Sequence, residues 1–155
     1  MKGMRMNREI KFRGKCVPDS KYAGEWVTGG YVAPESDCRK QDEGLIISYY
    51  GGNTQCAFHV IPDTVGQFIG LNDKEDNEIF EGDIVEVTCL DISQFGRKML
   101  CSIVYDEGCA CFSFRELYRI RCICSTLPDA EFEVIGNIHE NQELMKEVGR
   151  NADEG

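Results

Sequence analysis

Between Ile10 and Ile138 the chain is cut into short runs in which apolar residues return at every second position. Nearly every run ends in glycine, proline, asparagine or aspartate. A period of two matches the alternating faces of a β-strand, and turn residues at such short intervals leave little room for a helix. In the first run, Ile10 to Val17, Ile10, Phe12 and Cys16 alternate with charges, as expected of a strand with one buried face. A return strand follows over 25–32 and contains the single tryptophan, Trp26. The runs 45–50 and 56–61 are joined by Gly51-Gly52-Asn53-Thr54, a hairpin signal, and Pro62 closes the second because it cannot donate to a ladder.

The same pattern continues through QFIGL, a charged loop over 72–77, EIFEGD, and strands at 83–90 and 99–105. Asp106-Glu107-Gly108 turns into Cys109, and EFEVIGNI over 131–138 is a last strand. Asn141 then reads as the N-cap of one short helix reaching Val148, with Glu143 favourable to its dipole. Eight or nine short strands and one helix predict a mainly β chain of antiparallel small-barrel architecture. A length of 155 residues suffices for two small lobes. We expect an N-terminal β-rich lobe over 1–62, a C-terminal barrel lobe with the helix over 63–148, and a fraying tail at 149–155.

Charge and cysteine usage narrow the function classes. Seventeen basic against 27 acidic residues give a net charge of −10, which opposes the phosphate attraction that dominates nucleic-acid binding. The local cluster Arg5, Arg8, Lys11, Arg13 and Lys15 reads as a solvated strand face. Nine cysteines form an odd set without the spacing of a secreted disulfide scaffold, and MKGMRMNREIKF lacks the apolar core of a signal peptide. No apolar run approaches the roughly 20 residues of a membrane span. The expectation is a cytoplasmic protein of a reducing compartment, away from membranes, with thiols packed as small hydrophobes.

Three blocks carry a family resemblance: REIKFRGK near the start, VGQFIGLNDKEDNEIFEGDIVEV over 65–87, and EVIGNIHEN over 133–141. In this order they resemble the YopX family of phage- and prophage-encoded proteins and bracket residues 7 to 148. The resemblance implies a mainly β protein with an SH3-like C-terminal barrel, and no particular activity. Gln142 stands where that pattern usually has proline, and both the Met1–Met6 extension and the cysteine-rich block lie outside it. The motif residues Gly66, Gly70, Glu81, Gly82, Asp83, Gly136, Asn137 and Asn141 have structural reasons of their own. The glycines suit turns or close backbone approach, and the short polar side chains can bond orphan backbone groups.

Several other clusters invite chemistry. CACFSFRELYRIRCIC places Cys109, Cys111, Cys122 and Cys124 in two C-x-C pairs, the candidates for zinc. Zinc knuckles use C-x₂₋₄-C, whereas C-x-C on a strand holds its sulfurs about 7 Å apart, so thiols filling strand positions are the favoured reading. On that reading Cys109, Cys111 and Ser113 share one face and Cys122 and Cys124 another, although FRELYRIR over 114–121 could also form a helical turn. Cys56 and His59 fall on opposite faces of one strand, and His139 lies far away in sequence, so no nucleophile–base pair is expected. The acidic loop Asp73, Glu75, Asp76 and Glu78 lacks calcium-loop spacing and reads as a solvated hairpin tip. No phosphate-loop, nucleophile-elbow or zincin motif is present.

The sequence therefore favours a non-enzymatic interaction module without a cofactor, binding a protein partner or further copies of itself as a homo-oligomer. The second reading is nucleic-acid association through the basic strand and Tyr22, Trp26, Tyr31, Tyr49 and Tyr50, with or without a structural zinc.

Overall fold

A computed structural model describes residues 8–34, 43–50, 54–90, 95–116, 120–123 and 130–146. The chain divides into two compact units, residues 1–70 and 71–155. In the first, β1 (Phe12–Lys15), β2 (Trp26–Val32), β3 (Gly44–Tyr50), β4 (Thr54–Val60) and β5 (Gly66–Asn72) lie in the order β4-β3-β2-β1-β5. The paired strands run antiparallel. Alternation along β4 is the expected one: Phe58 and Val60 are buried while Gln55, Ala57 and His59 face outward. The register sets Ile46 opposite Phe58, and both join Cys16, Val27 and Val60 in one apolar cluster. Burial of each such large side chain contributes roughly 1.5–3 kcal/mol. Gly14 keeps β1 close to this cluster, since a Cβ there would lie 3.1 Å from both Ile46 and Val65.

After β4 the chain makes a 3-10 turn over Pro62–Thr64. Proline suits its first position because that N–H has no helical partner. Thr64 Oγ1 donates to the Ile61 carbonyl at 2.7 Å and accepts the Lys15 N–H at 2.9 Å, so one hydroxyl ties the turn to β1.

The second unit holds β6 (Glu78–Phe80), β7 (Asp83–Cys89), β8 (Lys98–Asp106), β9 (Cys111–Arg115), β10 (Ile120–Cys122) and β11 (Ala130–Asn137), then α1 (Gln142–Met145). Five of these strands form an antiparallel sheet of order β10-β9-β8-β7-β11. Neighbouring Ile84 and Val85 are both fully buried, so β7 is covered on its two faces. Ile138, just after β11, and Leu144, in the helix, pack on Ile84 and Leu100. The architecture is the mainly β, antiparallel, small-barrel-like one that the alternation predicts. Its end strands β10 and β11 are not neighbours, so the sheet does not close into a complete barrel.

Three-residue strands are what the sequence pattern underestimates. Residues 120–122 are a strand, not the alternative helical turn, and eleven strands occur among the described residues against the eight or nine expected. The helix begins where predicted. Asn141 occupies the N-cap position without a side-chain cap bond, because its amide oxygen is turned back toward Asn137.

The acidic loop is exposed at Glu75 and Asp76, as expected of a solvated tip, and departs from that reading at Asp73. Asp73 is only 7% exposed, not part of a solvated tip. One carboxylate oxygen accepts the N–H groups of Glu75 and Asn77, each at 2.9 Å. The other accepts the Asn77 side-chain amide at 3.2 Å and the Val134 N–H of β11 at 2.9 Å. Alongside, the Lys74 N–H donates to the Phe132 carbonyl at 2.9 Å, and the Lys74 ammonium pairs with Glu133. The turn thus lines the outer edge of β11, with a side-chain carboxylate standing in for a strand carbonyl. Burial pushes the Asp73 carboxyl up, but the bonds from Val134, Asn77 and Glu75 outweigh it and hold the group below its usual value.

Because that value is lowered by folding, the stabilisation is present above the ordinary carboxylate range, about pH 4, and is lost as pH falls through the folded value. Asp73→Ala should cost about 2–4 kcal/mol in urea unfolding near neutral pH, since several N–H groups lose their acceptor. Asp73→Asn should lose part of this. The gap between wild type and either variant should narrow as pH drops below about 4.

Candidate functional site

Six of the eight family-motif residues, Glu81, Gly82, Asp83, Gly136, Asn137 and Asn141, meet at one end of the β7–β11 pair. The register sets Asp83 opposite Asn137 and Ile84 opposite Gly136, so residues 54 and 52 positions apart in sequence become neighbours. Asp83 is 1% exposed and accepts the Phe80 N–H at 2.8 Å, closing the turn that carries Glu81 and Gly82. Gly82 sits at φ +86°, a conformation that costs an L-residue roughly 1–2 kcal/mol. Its N–H donates to the Ile103 carbonyl and its carbonyl accepts from Ile138, both at 2.9 Å. Asn137 Oδ1 accepts the N–H groups of His139 and Glu140 at 3.0 Å, while the Asn137 N–H donates to Asn141 Oδ1 at 3.0 Å. A Cβ on Gly136 would overlap the Asn141 amide, which explains glycine there by space alone. The two other motif glycines lie in β5: Gly66 is buried opposite Arg13, and Gly70 is exposed at φ +89°. The cluster is a set of clamps on backbone turns, and its asparagine oxygens are committed to main-chain N–H groups.

The cysteine-rich block is only partly as expected. Cys109 is exposed in the turn before β9, and Cys111 lies on β9. The hairpin register puts Cys122 of β10 opposite Ser113, so Cys111, Ser113 and Cys122 share one face instead of two. Strand alternation could not reveal this, because the faces of two strands are related only by their pairing. Cys111 Sγ lies 3.5 Å from Cys122 Sγ and 3.6 Å from Ser113 Oγ. Cys124 lies outside the described residues. Among the described residues no group of three or more His, Cys, Asp or Glu side chains is placed to hold a metal ion.

Three other thiols are shifted upward from the ordinary cysteine range. Cys101 is 1% exposed, and burial, with the nearby Glu116 charge, pushes it up to about 12. Burial and Glu25 likewise raise Cys16, and a hydrogen bond to Asp106 raises Cys109. His59 pairs with Glu43 at 2.8 Å and lies across its strand from Cys56, as alternation requires.

A trough of about 550 Å³ opens on the first unit, and no sequence signal marked it. Gly29 and Gly30 of β2 lie between Glu9 and Lys11, which lead into β1, and Ser48 and Tyr49 of β3. The two glycines contribute no side chain, which leaves the space open. Ser48 donates its hydroxyl to the Thr28 carbonyl, Lys11 pairs with Glu9 at 3.2 Å, and Tyr49 is 71% exposed. The trough is lined by hydrogen-bonding groups of Glu9, Lys11, Thr28 and Ser48 and by the Tyr49 ring, with no cysteine or histidine among its lining residues. Three basic residues of this unit lie over aromatic rings: Lys11 over Phe68 at 4.9 Å, Arg13 over Trp26 at 4.8 Å and Lys21 over Tyr22 at 5.4 Å. Such stacking satisfies both partners.

The class defined by these features is a two-unit antiparallel β protein whose motif residues secure turns. Residues 11–146 match the YopX protein family, and the chain belongs to that family. Among solved structures it is similar to protein EF1440 from Enterococcus faecalis, at 26% identity and a TM-score of 0.51, over 89% of this chain and 99% of that one. A comparison with curated proteins finds no match. No helix among the described residues is long and apolar enough to cross a membrane.

The adjacent glycines of β2 should respond differently to alanine. A Cβ on Gly29 would overlap the Ile47 carbonyl, whereas one on Gly30 would lie 4.0 Å from it. Gly29→Ala should therefore destabilise by about 1–3 kcal/mol, since main chain must move. Gly30→Ala should change thermal or urea unfolding by less than about 1 kcal/mol.

Proposed function

We propose that the protein is a non-enzymatic interaction module, phage- or prophage-borne, that associates with itself through the edge of its first sheet. The supporting observation is β4. It ends the strand order of that sheet, and Thr54–Val60 contains no lysine, arginine, aspartate, glutamate or proline. Soluble proteins usually guard a long edge with such residues, because a strand edge otherwise templates another strand. Cys16 bridges Val60 and the Val17 N–H donates to the His59 carbonyl, which covers the C-terminal end and, among the described residues, leaves Thr54 to Phe58 along the edge. The other edges differ: β10 has three residues, one of them Arg121, and β11 is lined by the Asp73 turn. Antiparallel pairing of β4 with its copy across a twofold axis is the self-complementary arrangement such an edge allows.

A second reading, association with single-stranded nucleic acid, is favoured only by exposed Tyr49 beside Lys11 at the trough and opposed by the net charge of −10. It requires binding of oligonucleotides that weakens steeply with salt.

Light scattering on the purified chain should give twice the monomer mass at micromolar concentration. Ala57→Lys, at an outward position of β4, should return it to monomer with the fold intact by circular dichroism. A wild-type monomer, or a dimer indifferent to Ala57→Lys and to a second edge charge at Gln55, would overturn the β4 interface.

A further inference from the structure

The geometry of the β9–β10 hairpin points to a thiol–disulfide exchange site. We propose that Cys111 and Cys122 form a dithiol that a small organic disulfide, such as oxidised glutathione, closes into a cross-strand disulfide. The two sulfurs are 3.5 Å apart, across strands whose register places both side chains on one face. Both residues are half-buried, so a small reagent can reach them, whereas Cys16 and Cys101 are buried within the fold. A disulfide bond is about 2.05 Å long, so the sulfurs must approach by on the order of 1.5 Å. Side-chain rotation and a small displacement of β10 supply this, because β10 is three residues long and ends the strand order among the described residues.

The exchange balances without any other reactant. One cysteine gives up its proton and attacks a sulfur of the organic disulfide. The sulfur–sulfur bond of the reagent breaks, and one small thiol leaves with a proton. The second cysteine, 3.5 Å away, then loses its proton and attacks the protein-bound sulfur of the mixed disulfide. The second small thiol departs in turn. Two protein thiols are oxidised to one disulfide and one reagent disulfide is reduced to two thiols. Ser113 Oγ, 3.6 Å from Cys111 Sγ, is placed to hydrogen-bond that sulfur while it is anionic. The product fastens β10 to β9 across an 11-residue separation. It converts the least-anchored strand of the second sheet into a covalently held one, independently of any partner. Cys109, in the neighbouring turn, is exposed and hydrogen-bonded to Asp106, and it forms at most a mixed disulfide in this scheme.

The test exposes the reduced full-length chain to oxidised glutathione at neutral pH, followed by alkylation and peptide mapping. The expected product is one internal cross-link joining the Cys111 and Cys122 peptides, with release of two glutathiones per chain and a rise of several degrees in Tm. In Cys111→Ser and in Cys122→Ser the cross-link should vanish and the remaining cysteine should accumulate as the glutathione adduct. An independent readout is phenylarsine oxide, which bridges paired thiols: it should bind the reduced wild type and lose that affinity in either variant. Circular dichroism establishes that both serine variants fold. A cross-link through Cys109 or Cys124 in place of this pair would overturn the assignment. So would stable mixed disulfides at Cys111 or Cys122 in the wild type, or arsenical binding unchanged by both substitutions.

Discussion

The carboxylate of Asp73 makes four hydrogen bonds, three within its own turn and one to the main chain of β11. A buried carboxylate is costly unless charged hydrogen bonds replace its lost water, and here backbone N–H groups supply most of them. Through the bond to Val134 the turn occupies an edge that would otherwise present unsatisfied donors, and Lys74 adds a backbone bond and an ion pair on either side. With that edge occupied, β11 can serve as the outermost strand beside β7, and β7 can be buried on both faces. The stretch between 73 and 77 is thus the lateral wall of the second sheet.

The same device recurs at the family motifs. Asp83 accepts the Phe80 N–H, Asn137 accepts from His139 and Glu140, and Asn141 accepts from Asn137. In each case a short side chain supplies an oxygen where the turning backbone has lost its ladder partner. Residues whose type could have signalled catalysis are consumed in fixing chain reversals. The motifs do not touch the features on which our proposals rest: the uncharged β4 edge and the paired thiols of β9 and β10.

Much of this was legible in the residue order. Inward Phe58 and Val60 with outward Ala57 and His59 follow from alternation alone, and Gly82 at positive φ follows from its place in EGD. The helix start at Gln142 was visible as well, although the reason given to Asn141 was wrong in direction: its side chain reaches backward, to Asn137. Asp73 was hidden because a polar residue in a charged loop looks the same whether it meets water or Val134, which is 61 positions away. The trough was hidden because it depends on glycines whose neighbours across β1 and β3 are set by pairing.

What the sequence by itself determined is the period-two pattern, the turns that punctuate it, and hence a small antiparallel β protein of the YopX family. These are local properties, written in the spacing of neighbouring residues. Only the tertiary structure decided which carboxylate is buried, which edge lacks a guard, and that Cys111 and Cys122 face each other. Each of those depends on register between segments, and shifting a strand by one residue reverses every side chain on it without changing a single local preference.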